Sequence, residues 1–572
     1  MKTLRCKALT KLTAVSCFVN PPFIPTESDL VQCPCGAFLQ VQKTQTRNVT
    51  LLDFGNLIFN ETVKCCPDCK CVFGSERLKM LAPEYANFGF DVMEFVGRNL
   101  FDENFTESEV LEALKERNVK ISPREVSFLG KKFILYLAQA HKDKEDEVRG
   151  LIQKNGGYIV HLDGTCDGAS PHFFCAVEEL LKLVLLSRKI PSESTEAIIP
   201  ILQELATSYG TPLGIVCDMS KAIISAIETV FPGLRIFICH FHFLRDLGKD
   251  LFKNDHDLLI ALLRDFDTKR TLSKFARDLR ELVRHYSSLS CHLESVDNVF
   301  DQKLPEEVLA HLLIEWIQDY PSDLAGYGFP FDRAHLAQVN RMKKAYEYLQ
   351  KLTLKPTDRL SKIKDFLEGV FNNSALQECI KNVTKKAEHF DRLREIMRLA
   401  SQDGTDGLND DGKSVDMPKM KRELEQFVSL KEIKQVELGD IGYRKMFSQI
   451  AKYKDRLFTD GVEVIDANGK KQRIQPERTN NLLERFFRGE KRGIRKRTGC
   501  KSMSKAFKTM LAETPYVKNL GNPEYLKVIL NGKETLAERF AEINSNQVRK
   551  AMQKHHEDQD RLRPCVKKSD RG

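Results

Sequence analysis

The sequence predicts a mixed α/β protein: a five-stranded mixed sheet with helices on its faces, a large all-helical insertion, and two small domains ahead of the sheet. Three observations predict it. Short apolar runs and helix-periodic runs alternate in the order βββαβαβ between 157 and 239. Residues 243–456 are almost continuously helix-periodic. Six of the 16 cysteines fall between Cys33 and Cys71.

In the sheet region, Tyr158–Leu162 is an apolar run that ends in Asp163-Gly-Thr. His172–Val177 and Leu183–Leu186 are the next two strands, with Gly168 and Pro171 as turn punctuation. Ser194 to Ser208 has helical spacing, through Ile198, Ile201, Leu202 and Leu205. Leu213–Cys217 is a buried-type strand that ends in Asp218. Ser220 to Phe231 is a helix stopped by Pro232-Gly233, and Arg235–Cys239 is the fifth strand.

Ahead of the sheet, CPCG (33–36) and CCPDCKC (65–71) flank a β-prone stretch. Two cysteine turns joined by strands describe a zinc ribbon, with Cys33, Cys35, Cys66 and Cys69 as the Zn²⁺ ligands and Cys65 and Cys71 as substitutes. The alternative is a redox-active or surface thiol cluster. Residues 87–141 read as helices. Thr106-x-x-Glu109 and Ser122-Pro-Arg-Glu125 are capping boxes, and the short break between their helices fits a helix-turn-helix. Its second helix would present Arg124, Lys131 and Lys132 to DNA; a plain helical hairpin is the bland reading.

After the helical block, which contains the lone Trp316, residues 401–416 are a polar linker. VEVI and KKQRI flank Asn468-Gly469 as a hairpin. Thr479-Asn-Asn481 then caps a helix containing Glu484. The chain from 549 onward reads as a loosely held polar tail. The boundaries that follow are 1–80, ribbon; 81–145, helix-turn-helix; 151–250, first part of the sheet domain; 251–456, helical insertion; 457–520, second part; and 521–572, a helical and basic tail.

The 572 residues carry a formal charge of +9. The ten Lys and Arg from Arg485 to Lys508, against the single acid Glu490, account for that excess. Such a concentrated patch is the footprint of a polyanion contact. Arg485, Arg488, Lys491, Arg492, Arg495, Lys496 and Arg497 would line a DNA path. No apolar run approaches the ~18 residues a membrane span needs. Lys2, Arg5, Lys7 and Lys11 interrupt any signal-peptide core, so a cytoplasmic protein is expected.

Asp163 and Asp218 each follow an apolar strand. Were those strands neighbours, the two carboxylates would meet at one sheet edge and repel unless a cation lay between them. Mg²⁺ suits oxygen ligands beside a phosphate substrate. Glu484, one turn into a helix that leads into the basic patch, is the third carboxylate for a two-metal site, with Mn²⁺ as substitute. Asp167 and Glu490 read as a turn residue and a partner of the arginines.

These residues carry a resemblance. HLDGT (161–165), VCDMSKAIISAIETVFPG (216–233), ICHFHFLRDLGKDL (238–251) and RTNNLLERF (478–486) resemble insertion-sequence transposases of the DDE class, in particular the Mutator-like and related bacterial families. The resemblance implies a ribonuclease-H-like core and Asp163, Asp218 and Glu484 as the DDE triad. It implies transposition of a mobile element: metal-dependent cleavage and strand transfer on double-stranded DNA at terminal inverted repeats and at a target. It further implies a homodimer or higher synaptic complex and a nucleoid-associated enzyme of a prokaryotic host. Cys239-x-x-His242 matches a signature of these families; an accessory role stands beside the plainer reading of a core thiol and a structural histidine. The rival readings are a catalytically silent DNA-binding regulator derived from a transposase, and a ribonuclease-H-like nuclease without strand transfer.

Overall fold

The structure, a computed structural model, describes residues 24–154, 156–286, 295–301, 304–402, 416–465 and 471–561. The basic N-terminus, most of the 401–416 linker and the Asn468-Gly469 turn lie outside the described residues. By internal contacts the chain forms two units, one comprising 1–236 and 461–572 and the other 237–460.

In the first unit, β1 (Ile24–Glu27), β2 (Gln40–Leu51), β3 (Gly55–Cys65) and β4 (Val72–Phe73) make a small sheet in the order β1-β3-β2, with β4 on β3. The long β2–β3 hairpin alternates its inward residues, and Val49, Leu51, Leu57 and Phe59 pack on Leu78 and Ala82 of the next helix. Three helices follow, Phe90–Phe101, Glu107–Glu116 and Pro123–Asp143. They share one core of Val92, Val96, Leu100, Val110, Leu114, Val126 and Leu129. Thr106 forms the complete reciprocal capping box with Glu109. Ser122 accepts from the Glu125 N–H, with Pro123 in the first turn. Each such cap contributes about 1 kcal/mol.

The main sheet has the order β7-β6-β5-β8-β9, from β5 (Ile159–Thr165), β6 (His172–Glu178), β7 (Val184–Ile190), β8 (Gly214–Cys217) and β9 (Ile236–Ile238). β5 pairs antiparallel with β6 and parallel with β8, so the sheet is mixed, as its element order predicts. Helices Thr195–Tyr209 and Lys221–Val230 connect β7 to β8 and β8 to β9. β5 and β6 are almost wholly buried, which is why they read as continuous apolar runs rather than alternating ones. The hairpin of β10 (Val462–Ile465) and β11 (Lys471–Ile474) precedes the helix Asn481–Thr498.

The C-terminal segment differs from its composition. Helix Ser545–Arg561 buries Val548 and Met552, one turn apart, and packs on the Pro123–Asp143 helix. The polar residues that suggest a loose tail occupy its outer face.

His141, on the Pro123–Asp143 helix, is buried between the hydroxyls of Tyr209 (2.6 Å) and Tyr525 (2.8 Å) and stacks on Tyr516. Burial, with the nearby Arg188 charge, lowers its pKa to about 4. The folded state therefore resists a proton that the unfolded chain takes up near the ordinary value of about 6.5. The resulting stability is complete above that value and is lost as pH falls towards 4. Over that window we expect this unit to lose about 3 kcal/mol through His141. Chemical denaturation at pH 7 and pH 4 should show a smaller acid loss in His141→Asn than in the parent.

From His240 onward the described residues of the second unit form helices joined by turns and loops. Trp316 is buried, with the Arg341 guanidinium over its ring and also paired with Asp323. Lys386 is held between Asp255 (2.6 Å) and Asp440 (2.7 Å), a buried cation matched by two carboxylates. Cys239 occupies the N-cap position of the helix His240–Asp265 without a side-chain cap, and both Cys239 and His242 are buried at its start. Among the described residues, no helix is long and apolar enough to cross a membrane.

Candidate active site

The cysteine turns converge. Cys33 Sγ lies 3.4 Å from Cys69 Sγ, and Cys35 Sγ lies 3.4 Å from Cys66 Sγ and 3.8 Å from Cys69 Sγ. All four sulfurs fall within 4.8 Å of one another. Tetrahedral Zn²⁺ at about 2.3 Å from four thiolates sets its sulfurs about 3.8 Å apart, so the quartet fits a structural zinc ion. Cys65 and Cys71 stand outside it. The backbone N–H groups of Cys69 and Asp68 help lower the Cys66 thiol to about 6. For Cys33 the Cys35 N–H works downward, but burial and the neighbouring sulfurs outweigh it and push the thiol up to about 12. Four sulfurs this close could hold a structural metal ion.

The second centre lies at the carboxyl ends of β5 and β8. Their parallel register pairs Ile159 with Gly214, Val160 with Ile215 and His161 with Val216. Continued two residues, it sets Asp163 opposite Asp218, on the same side of the sheet. Asp163 Oδ1 accepts from the Gly164 N–H, and Asp218 Oδ1 from the Ser220 N–H, both at 2.8 Å. Burial pushes the Asp163 carboxyl well above its ordinary pKa, and the charges of Asp218, Glu484 and Glu193 push the same way. The carboxylates are hard oxygen donors, of the kind that suits Mg²⁺ or Mn²⁺. The carboxylates do not meet the 4.8 Å spacing of the cysteines among the described residues, so a divalent ion would have to draw them in.

Glu484 reaches this edge because its helix is tied to β5. Asn480 sits at the N-cap, but its side chain does not cap. Its Nδ2 instead donates to the Leu162 carbonyl at 3.1 Å, and its Oδ1 meets His161 Nδ1 at 3.0 Å. Glu484 follows within one turn, its N–H bonded to the Asn480 carbonyl at 3.0 Å. Further along the helix, Ile494 packs with Phe173 of β6, Met503 and Phe507.

The same helix presents its cations unequally. Arg485, Arg488, Arg492, Arg495 and Lys496 are exposed, and Lys491 is half-buried. Arg497 departs from the DNA-path expectation. Its Nη1 donates to the Leu100 carbonyl at 2.8 Å, its guanidinium lies over the Phe101 ring, and burial lowers its pKa. Arg497 thus docks this helix onto the three-helix core. Glu490 is held in the interior by Lys518 at 3.6 Å, with the Arg497 charge also acting on it. In the helix-turn-helix region Arg124 is exposed and Lys131 half-buried. Lys132 lies over the Phe128 ring, where burial lowers its pKa. We expect Arg497→Ala to cost about 1–3 kcal/mol of stability through its unpaired partners. Arg492→Ala, exposed on the same helix, should leave stability unchanged. Denaturation of the two variants measures the difference.

The roles of four residues were not legible in the sequence. Glu193, whose carboxylate faces Gly164 and lies 3.8 Å from His172 Nδ1, adds a fourth negative charge. Asp167 is more than a turn residue: it accepts from Ser502 Oγ and from the Met503 and Ser504 N–H groups, fixing the start of a distant helix. His161 and Asn480 join segments hundreds of residues apart. The HLDGT and RTNNLLERF stretches contain both residues, but nothing local pairs them. No protein-family model matches the chain, and no curated protein matches it.

Proposed function

We propose that this protein is a DNA transposase of the DDE class with a ribonuclease-H-like core, acting by metal-dependent cleavage and strand transfer at the ends of a mobile element. One observation carries the reading: Asp163, crowded by Asp218 and Glu484, lies at adjoining parallel strand ends beside a helix whose outer face is basic. Asp163, Asp218 and Glu484 would hold two Mg²⁺ or Mn²⁺ ions. Bound there, such ions supply Lewis-acid activation of the attacking oxygen and neutralise charge at the phosphate.

The chain's own residues do the rest. Arg485, Arg488, Arg492, Arg495 and Lys496 bind the phosphate backbone and give affinity without sequence choice. Asn480 holds the Glu484 helix against β5, which keeps the third carboxylate within electrostatic reach of Asp163. Asp163, buried among acids, keeps a site whose charge favours divalent ions over water alone. The ribbon and the three-helix segment, through Arg124 and Lys131, select the terminal inverted repeats. Work at two ends calls for a homodimer or larger synaptic complex.

The test uses a supercoiled plasmid carrying the inverted repeats that flank the coding region, incubated with the full chain and Mg²⁺ or Mn²⁺. Metal-dependent cleavage with joined product is expected. Cleavage without joining would leave a nuclease, and binding without cleavage a regulator.

A further inference from the structure

Glu179, His161 and Asn480 form a buried chain behind the acidic edge. Glu179 Oε1 accepts from the Glu477 N–H at 3.0 Å, and Glu179 Oε2 lies 3.2 Å from His161 Nε2. His161 Nδ1 lies 3.0 Å from Asn480 Oδ1. Asn480 Nδ2 donates to the Leu162 carbonyl, which turns its Oδ1 towards the ring. His161 and Asn480 are fully buried and Glu179 is 8% exposed. Every link is short: the Glu179–Glu477 and His161–Asn480 contacts join the sheet region to the segment that starts the Glu484 helix, and the Glu179–His161 contact ties them to each other.

Strand alternation puts His161 and Asp163 on the same face of β5. The chain therefore grips the Glu484 helix on the face where the carboxylates gather. A slack grip would let the helix start drift from β5, and divalent-ion sites are sensitive to the groups that orient their ligands. From this juxtaposition we infer that Glu179, His161 and Asn480 are positioning residues which set the divalent-ion affinity of the Asp163, Asp218 and Glu484 site. This rests on the reading of that site as a metal site. The three residues touch neither ion nor DNA.

The experiment measures Mn²⁺ binding to the full chain, with zinc already bound, by electron paramagnetic resonance of free Mn²⁺. Parent, Asp163→Asn, Asn480→Ala, Glu179→Gln and His161→Gln are compared, each shown folded by circular dichroism. Asn480→Ala is expected to weaken Mn²⁺ binding by about 10–100-fold. The more conservative Glu179→Gln and His161→Gln should weaken it less. The Mn²⁺ concentration for half-maximal cleavage should rise in parallel, with the saturated rate largely kept. A role in folding alone would lower the saturated rate and leave Mn²⁺ affinity unchanged, which overturns the inference. Should Asn480→Ala not fold, Glu179→Gln carries the same comparison. Absence of Mn²⁺ binding in the parent, or binding unaffected by Asp163→Asn, would sink the metal-site reading itself. Binding lost in Asp163→Asn but unchanged in all three positioning variants would sink only the inference.

Discussion

Asp163→Asn is expected to abolish metal-dependent DNA cleavage, by about 10³-fold or more, while raising the stability of the metal-free protein. Both effects have one cause. In the parent, folding buries a carboxyl beside Asp218, Glu484 and Glu193. Its folded pKa is raised, so the stability it contributes is present at low pH. That stability is lost as pH rises from the ordinary carboxylate value through the folded one. At neutral pH the metal-free parent carries this repulsion and the asparagine variant does not. The loss of activity follows from removing a charged ligand at the reacting centre, where single electrostatic groups contribute about 10²–10³-fold and a metal ligand more. Saturating Mn²⁺ should reverse the stability order: at 100 times its dissociation constant it stabilises the parent by about 2.7 kcal/mol. Thermal melts with and without Mn²⁺, paired with the cleavage assay, check both halves. A variant that is less stable and equally active would contradict them.

Cys66→Ser is expected to release one zinc ion per chain and unfold the small sheet. The buried apolar groups of β1–β4 are few, Val49, Leu51, Leu57, Phe59 and Val63, and the hairpin's ties to the helices, Asp53 to Arg117 and Leu52 to Asp91, lie at the end away from the cysteines. Structural zinc contributes on the order of 10 kcal/mol in such domains, more than this core can replace. Metal analysis should find one zinc per parent chain and none in the variant. Hydrogen exchange should show protection lost from about residue 30 to residue 75 and kept in β5–β8. Repeat recognition should fail with the ribbon.

The sequence carried much of the sheet and of the acidic pair. Apolar runs leading to an aspartate mark β5 and β8, because a strand buried on both faces leaves no alternation, although β5 carries the buried His161 and runs on past Asp163 to Thr165. The cysteine quartet was legible from spacing, since a knuckle is a local turn. The unread part is non-local. Asn480 looks like a helix cap, yet its amide bridges to Leu162 and His161. Arg497 and Lys132 look like their exposed neighbours, and only packing against Leu100, Phe101 and Phe128 distinguishes them. Glu193 has no strand-end signature, and Asp167 fixes a helix start over three hundred residues away. Periodicity reports which face of an element is apolar, not which distant segment covers it.

The central claim is that acids far apart in the chain close on a pair of divalent ions beside nucleic acid. Anomalous diffraction at the manganese edge, from crystals of the full chain soaked in Mn²⁺, tests it most directly. The expected result is two manganese peaks about 3.5–4 Å apart, ligated by Asp163, Asp218 and Glu484. Manganese held by Asp163 and Asp218 with Glu193 as third ligand, or no manganese at this edge, would contradict it.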